Sequence, residues 1–292
     1  MAQMREIKRR IRGIQSIRQI TNAMELVATA KLQKARTSLK QSRPYYTTVL
    51  ENINDILQYT GGGHPLLEER PIKKSLYIVV TSDRGLAGGY NANVIQLAHQ
   101  AMKERDSEPL LMVVGTKAKD HFSKRGFTIH QDFVGLSERP SFDDAQSLGD
   151  EAINLYRKKE IDEIILIYTE FESTLSSMPE KIRLLPTEKL QAPSEGKEDG
   201  EKQEGYRDLI EFEPSTTGVL DYLIPMYLNS AIFGALIEAS ASEQASRRIA
   251  MENATDNAND MIDDLQTNYN RARQAEITNE ITEIVSGADA LS

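Results

Sequence analysis

Residues 5–32 read REIKRRIRGIQSIRQITNAMELVATAKL. The stretch holds one helix breaker, Gly13; the next is Pro44, and the pattern stops only at Gly61, Gly62 and Gly63. It predicts a single helix from Met1 to about Tyr59, which at about 1.5 Å per residue spans roughly 80–90 Å, more than the width of one domain. Met4, Ile7, Ile11 and Ile14 alternate steps of three and four, continued less strictly by Ile17 or Arg18, Met24 and Val27. That is the spacing of a coiled coil.

The other end predicts a helix of matching length. Met226 to about Ser286 contains no proline and one internal glycine, Gly234, before Gly287 stops it. Leu228, Ile232, Ala235 and Ala239 begin a seam there, Ala258, Ile262, Leu265, Tyr269 and Ala272 resume it, and Ile277, Ile281, Ile284 and Val285 finish it. Between them EASASEQASRRIAMENATDNAND, residues 238–260, is almost entirely small or polar, so this helix needs a partner or surrounding protein to hold it. Charge names the partner. Residues 1–43 carry eleven basic side chains against two acidic ones, and residues 226–292 carry four basic against eleven acidic. Opposed ends favour an antiparallel pair formed within the chain.

Between the helices the texture changes. SLYIVVTSD (75–83), LLMVV (110–114), a weaker TIHQDF (128–133) and EIILIYTEF (163–171) read as strands, alternating with amphipathic helices over 93–105, 116–124 and 142–159. KIRLLP (181–186) adds a strand by hairpin. Alternation of this kind predicts a Rossmann-like three-layer α/β domain with a mostly parallel sheet. The expected organisation is an N-terminal coiled-coil helix over 1–59, a central α/β domain over 72–214 and a C-terminal coiled-coil helix over 215–292. Residues 186–214, rich in Glu, Lys, Gly and Pro, are expected to be a mobile acidic segment.

Composition excludes several function classes. Of 292 residues 39% are apolar, 27% charged and 6% aromatic, which leaves little core per residue and places part of the chain outside a globular core. The net charge of −9 argues against a surface that binds nucleic acid throughout. There is no cysteine, so disulfides, thiolate metal sites and thiol switches are absent. No uninterrupted apolar run of about 18 residues occurs and the N-terminus lacks the apolar stretch of a signal peptide. The expectation is a protein kept in the cytoplasm and reaching a membrane only through partners.

Candidate chemistry is sparse. Ser82-Asp83-Arg84-Gly85-Leu86-Ala87-Gly88-Gly89-Tyr90-Asn91 follows the first strand, where doubly wound proteins bind phosphate. Its glycines fit neither G-x-G-x-x-G nor the P-loop, so the reading is a tight turn into a helix capped by Asn91. His64, His99, His121 and His130 show no metal-ligand spacing, and His99 and His121 fall on predicted surface helices. Asp143-Asp144 and Asp263-Asp264 diverge around their helices and read as solvated faces. No catalytic residue, cofactor or metal is expected. The basic EIKRRIRGIQSIR could grip nucleic acid or an anionic surface, but the seam runs through it and no aromatic residue lies near it for stacking.

Both ends, together with VTSDRGLAGGYN, resemble one family over the whole chain. REIKRRIRGIQSIRQITNAMELVATAKL and ATDNANDMIDDLQTNYNRARQAEITNEITEIVSGA are similar to the two signature helices of F-type ATP synthase gamma subunits. The resemblance implies a non-catalytic central-stalk rotor. Its helix pair would enter a ring of three alpha and three beta subunits, with the globular part beside the epsilon subunit and the proton-carrying c-ring. The place implied is the cytoplasmic face of the cell membrane, as a peripheral component. Met24 matches a family methionine near the beta subunits, and Arg273, Gln274 and Thr278 match polar contacts to a beta-subunit loop. Phe212 and Glu213 are expected to face epsilon or the ring. Asn22 stands where a lysine is common and Ala87 where a cysteine is frequent; the dithiol insertion of chloroplast members is missing. The alternatives are a nucleotide-binding α/β enzyme with a coiled-coil arm, or a basic coiled-coil protein that binds nucleic acid.

Overall fold

A computed structural model describes residues 2–60, 66, 70–174, 176–186 and 216–289. The elements run α1 (Ala2–Thr60), β1 (Lys74–Val80), α2 (Tyr90–Glu104), β2 (Glu108–Val114), α3 (Thr116–Ser123), β3 (Ile129–Phe133), α4 (Phe142–Arg157), β4 (Glu163–Phe171), β5 (Ser177–Leu185) and α5 (Thr216–Asp289). The chain divides into two compact units, one of residues 1–30 and 247–292, the other of residues 31–246.

The larger unit is built on a five-stranded sheet of order β3-β2-β1-β4-β5. β1 is parallel to both β2 and β4, β2 to β3, and only β5 runs antiparallel, by a hairpin from β4. The central strand KSLYIVV is buried from Ser75 to Val80, as expected for a parallel strand covered on both faces. Alternation sends its side chains to two cores. Tyr77 and Val79 join Val94, Ala98, Ala118 and Phe122 of α2 and α3; Leu76, Ile78 and Val80 join Leu148, Ala152 and Tyr156 of α4. Helices α2 and α3 lie on one face because the strand order steps β1→β2→β3 in one direction, and α4 crosses to the other face as the order reverses to β4, keeping each crossover right-handed.

The helix α5 completes that second face. Leu220, Ile224, Tyr227, Leu228, Ile232 and Leu236 are buried in the same core as α4, so Leu228, Ile232, Ala235 and Ala239 belong to the α/β core and do not begin a coiled-coil seam. Gly149 of α4 allows the close approach: a Cβ there would collide with the Asn229 side-chain oxygen of α5. The sequence also underrates Asp144, which is no idle solvated carboxylate. It accepts the Ser141 N–H at 2.9 Å while the Ser141 hydroxyl accepts the Asp144 N–H at 3.2 Å, a capping box that starts α4.

An 18-residue window of α5 reaches a mean hydropathy of 1.4, but 61% of it is buried inside the fold, the mark of a core helix. Further along, the small and polar residues Ser240 to Ala245 are all buried. Ala241 and Ala245 pack with Leu32 of α1, and the Ser242 hydroxyl donates to the Glu170 carbonyl at 3.1 Å. The partner demanded by composition is thus α1 together with the β4–β5 hairpin. A further polar group at the sheet is fully buried: Glu163 accepts the Ser75 hydroxyl at 2.6 Å and faces Arg105 at 3.2 Å, so its charge is paired.

In the smaller unit α1 and α5 are paired antiparallel. The Thr21 and Thr255 hydroxyls meet at 2.8 Å, and Arg18 donates to the Asn259 side-chain oxygen at 3.3 Å. Ile11, Thr21 and Ala28 are buried on α1, with Ile14, Arg18 and Met24 half-buried between them in steps of three and four. Opposite them Met251 and Ala258 are buried and Ile262, Leu265, Tyr269 and Ala272 half-buried. The seam takes Arg18 and Ala28, whereas Ile17 and Val27 are 54% and 55% exposed. Ile277, Ile281, Ile284 and Val285 are also exposed and finish no seam.

Two tests follow from the larger unit. Gly115 has φ +89°, and a Cβ there would overlap the Thr81 carbonyl, so Gly115→Ala is expected to lose about 2–4 kcal/mol from left-handed strain and collision together, read as the urea midpoint of the purified chain. The second concerns His99 and His121, which the sequence separates but the fold joins, Nε2 to Nε2 at 2.9 Å across α2 and α3. Arg125 can only donate, at 3.3 Å to His121 Nδ1, so the His121 proton sits on Nε2 and is donated to His99. Burial, reinforced by Arg125, holds both imidazoles below their ordinary value. The unfolded chain then binds more protons, so the stability this pair supplies is present above about pH 6.5 and is lost as pH falls below it toward the lowered folded-state values. His99→Phe is expected to flatten that part of the stability-against-pH curve.

Candidate functional site

The turn after β1 stands where a phosphate would bind, and its geometry is already filled by the chain's own groups. The Asp83 carboxylate accepts the Thr116 N–H and hydroxyl, both at 3.1 Å, at the start of α3, and the Ser137 hydroxyl at 2.9 Å. Burial pushes this carboxyl up, but the donors from Gly135, Ser137 and Thr116 outweigh it and hold it below its ordinary value. A fixed anion therefore occupies the position that a ligand phosphate needs. The residue before α2 is Gly89, with no side-chain cap, so Asn91 does not cap the helix. Asn91 instead accepts the Ser82 N–H at 2.9 Å and donates its amide to the Ser82 hydroxyl at 2.7 Å, which ties the turn to the strand end. The turn is a brace linking three loops.

The residues assigned by resemblance lie on the paired helices. With Thr21 beside Thr255, equal rise along both helices sets Met24 beside the turn at Glu252 and Met4 beside Ala272. Met24 is half-buried at the seam, with Glu25 half-buried and Leu26 64% exposed next to it. Arg273, Gln274 and Thr278 are all exposed, and the Thr278 hydroxyl donates at 2.9 Å to the Gln274 carbonyl of its own helix. Arg273, Gln274 and Thr278 form one cluster. Met24 is not part of it, since some twenty residues of helix, roughly 30 Å, separate the Met24 level from Arg273. Phe212 and Glu213 lie outside the described residues, as does the acidic segment beyond Pro186.

The register also gives a different place to residues that the sequence pattern assigns to the seam, and adds Ile20 and Leu26 to them. Positions past about 275 run beyond the start of α1, so Ile277, Ile281, Ile284 and Val285 extend from the pair with 47%, 56%, 72% and 53% of their surface exposed. On α1 itself Ile17, Ile20, Leu26 and Val27 are exposed in the same way. The signal was present in the sequence as a surplus: α1 carries more large apolar residues than one seam can bury. Apolar surface of this density on an otherwise charged pair marks contact with other protein.

Comparison with known proteins gives the same direction. A family model described as ATP synthase matches residues 3–291. The chain is 50% identical over 289 residues to the ATP synthase gamma chain of Alkaliphilus metalliredigens, covering 99% of this chain and 98% of that one. It is 44% identical over 292 residues to the ATP synthase gamma chain of Heliobacterium modesticaldum, with both chains covered in full. Among solved structures, the central stalk and c-ring of Tetrahymena thermophila mitochondrial ATP synthase matches with TM-score 0.59 and 26% identity, over 80% of this chain and 99% of that one. A Euglena gracilis mitochondrial ATP synthase chain shares the fold with TM-score 0.68 at 21% identity, over 99% of this chain and 95% of that one. End-to-end identity at this level, on a fold of paired terminal helices and a Rossmann-like domain, means that the chain belongs to the ATP synthase gamma-chain family.

Proposed function

We propose that the paired helices turn inside a ring of three alpha and three beta subunits and impose a different contact on each beta subunit at every angle. The chain is the non-catalytic rotor of an F-type ATP synthase central stalk, and it couples rotation of a proton-driven membrane ring to ATP synthesis or hydrolysis. The observation that carries this is the exposed apolar surface of Ile17, Ile20, Leu26, Val27 and the Ile277–Val285 end, borne by helices whose own seam is already filled. A smooth polar shaft would touch all three beta subunits alike and shift no equilibrium between their conformations; only differential contact does.

The larger unit serves as the foot. It would stand beside epsilon and the c-ring, with Phe212 and Glu213 toward them, at the cytoplasmic face of the cell membrane. Membrane association comes through those partners. The role of Arg273, Gln274 and Thr278 as polar contacts to a beta-subunit loop fits their exposure, and Met24, proposed as a contact near the beta subunits, keeps part of its side chain at the surface beside exposed Leu26. None of the three exposed polar side chains is needed by the chain's own fold, so truncating them tests assembly and not folding.

Two measurements decide these contacts. Met24→Lys places an ammonium where a thioether adapted to changing neighbours, so ATP hydrolysis by the reconstituted complex is expected to survive while protons pumped per ATP fall. An unchanged ratio would remove Met24 from the contact surface. Arg273→Ala and Gln274→Ala are expected to leave the melting temperature of the isolated chain within error, yet to weaken assembly with alpha and beta subunits by roughly 1–3 kcal/mol each through unsatisfied partners. Normal assembly and turnover in both variants would show that the polar cluster makes no such contact.

A further inference from the structure

The larger unit contains a cavity of about 200 Å³ between α1, the β4–β5 hairpin and α5. Its walls are mainly apolar: Leu39 from α1, Leu166 and Ile182 from the sheet, Phe233 and Ala235 from α5, and Phe142 at the start of α4. Phe142 and Phe233 meet edge to face with centroids 5.6 Å apart, an arrangement that leaves ring surface open to a third ring. Phe142 is 38% exposed, so the cavity has a route to solvent beside an aromatic side chain.

The polar atoms in the wall narrow the ligand class. The Ser230 hydroxyl already donates to the Met226 carbonyl at 2.7 Å, and the Ser42 hydroxyl donates to the Ser38 carbonyl at 3.0 Å. Each has a single proton, so neither serves a ligand that needs donors. Among the described residues no cation lines the cavity, so nothing in its wall would hold an anion such as a fatty acid. By size, an apolar cavity of about 150 Å³ lined by Leu, Ile and Phe holds benzene, and this one is somewhat larger. We propose that this cavity is a binding site for a small uncharged ligand carrying one aromatic ring with a short alkyl substituent. The site is independent of the rotor contacts, since none of its walls belongs to the smaller unit.

An occupant would touch α1, the sheet and α5 at once, and would therefore raise the stability of the foot by mass action. The test uses the full-length chain and n-propylbenzene as probe, with melting temperature and isothermal titration as readouts. Saturable binding with a dissociation constant of about 10 μM to 1 mM and a rise in melting temperature is expected. Ala235→Leu fills the cavity from α5 and is expected to weaken binding at least tenfold while the chain stays folded. Should that variant be destabilised by overpacking, Ile182→Phe fills it from the sheet and must show the same loss. Absence of saturable binding to the unaltered chain, or equal binding to both filled variants, overturns the site. Tighter binding of the protonated amine phenethylamine than of n-propylbenzene overturns the ligand class.

Discussion

The helix α5 has to satisfy three kinds of neighbour along one continuous helix, whose hydrogen-bond ladder lacks a donor at Pro225, and its composition changes where the neighbour changes. Over 220–239 it meets a sheet face and another helix, which ask for a broad apolar surface; Leu220, Ile224, Tyr227, Leu228, Ile232 and Leu236 supply it. From Ser240 to Ala245 it is enclosed closely by Leu32 and the hairpin carbonyl of Glu170, which ask for small side chains and for hydroxyls that can bond backbone. From Met251 onward one helix alone faces it, and a narrow seam suffices. Truncating any one of these stretches would leave a different kind of surface unburied.

That change of neighbour explains what was legible in the sequence and what was not. Both terminal helices and the strands 75–83, 110–114, 128–133 and 163–171 were legible because helix and strand periods differ and breakers separate them. Leu228, Ile232, Ala235 and Ala239 have the spacing of a coiled-coil seam but lie in the α/β core, because a helical stripe packs equally well on a sheet or on a helix; period specifies the face, never the partner. The His99–His121 bond and the Asp83–Ser137 brace were invisible for another reason: they join residues 22 and 54 positions apart, and no local spacing encodes them. Of the residues proposed as contacts, Met24 and the Arg273 cluster are legible only through the family resemblance, whereas Ile277, Ile281, Ile284 and Val285 carry the spacing of a seam that the fold leaves exposed.

The sheet carries the layout of a nucleotide-binding fold but not its chemistry. At the position where a phosphate would meet a helix start, Asp83 supplies a permanent negative charge with three side-chain and backbone donors already around it. An incoming phosphate would meet a like charge and donors already taken, and the glycines of the turn serve backbone geometry: Gly88 and Leu86 both adopt positive φ to bring the chain into α2. The turn thus serves as an internal brace of the three-layer unit, with its polar groups committed to one another.

The seam of the helix pair shows how such an element combines register with tolerance. Thr21 and Thr255 have two hydroxyl protons between them and four acceptors in reach: each other's oxygen at 2.8 Å, the Arg18 carbonyl at 3.1 Å and the Met251 carbonyl at 2.9 Å. One hydroxyl donates across the seam while the other donates back to its own helix. If the helices part or slide at this layer, both hydroxyls turn to their own carbonyls, and no buried donor is orphaned. Local rearrangement then costs about 1 kcal/mol for one neutral hydrogen bond, well below the penalty of an unsatisfied group. A leucine layer in the same place would resist sliding through lost packing at every contact, and an ion pair would resist it through a stranded charge. The small Thr21–Thr255 layer thus fixes the antiparallel register through one cross-helix hydrogen bond while leaving each hydroxyl a second acceptor on its own helix.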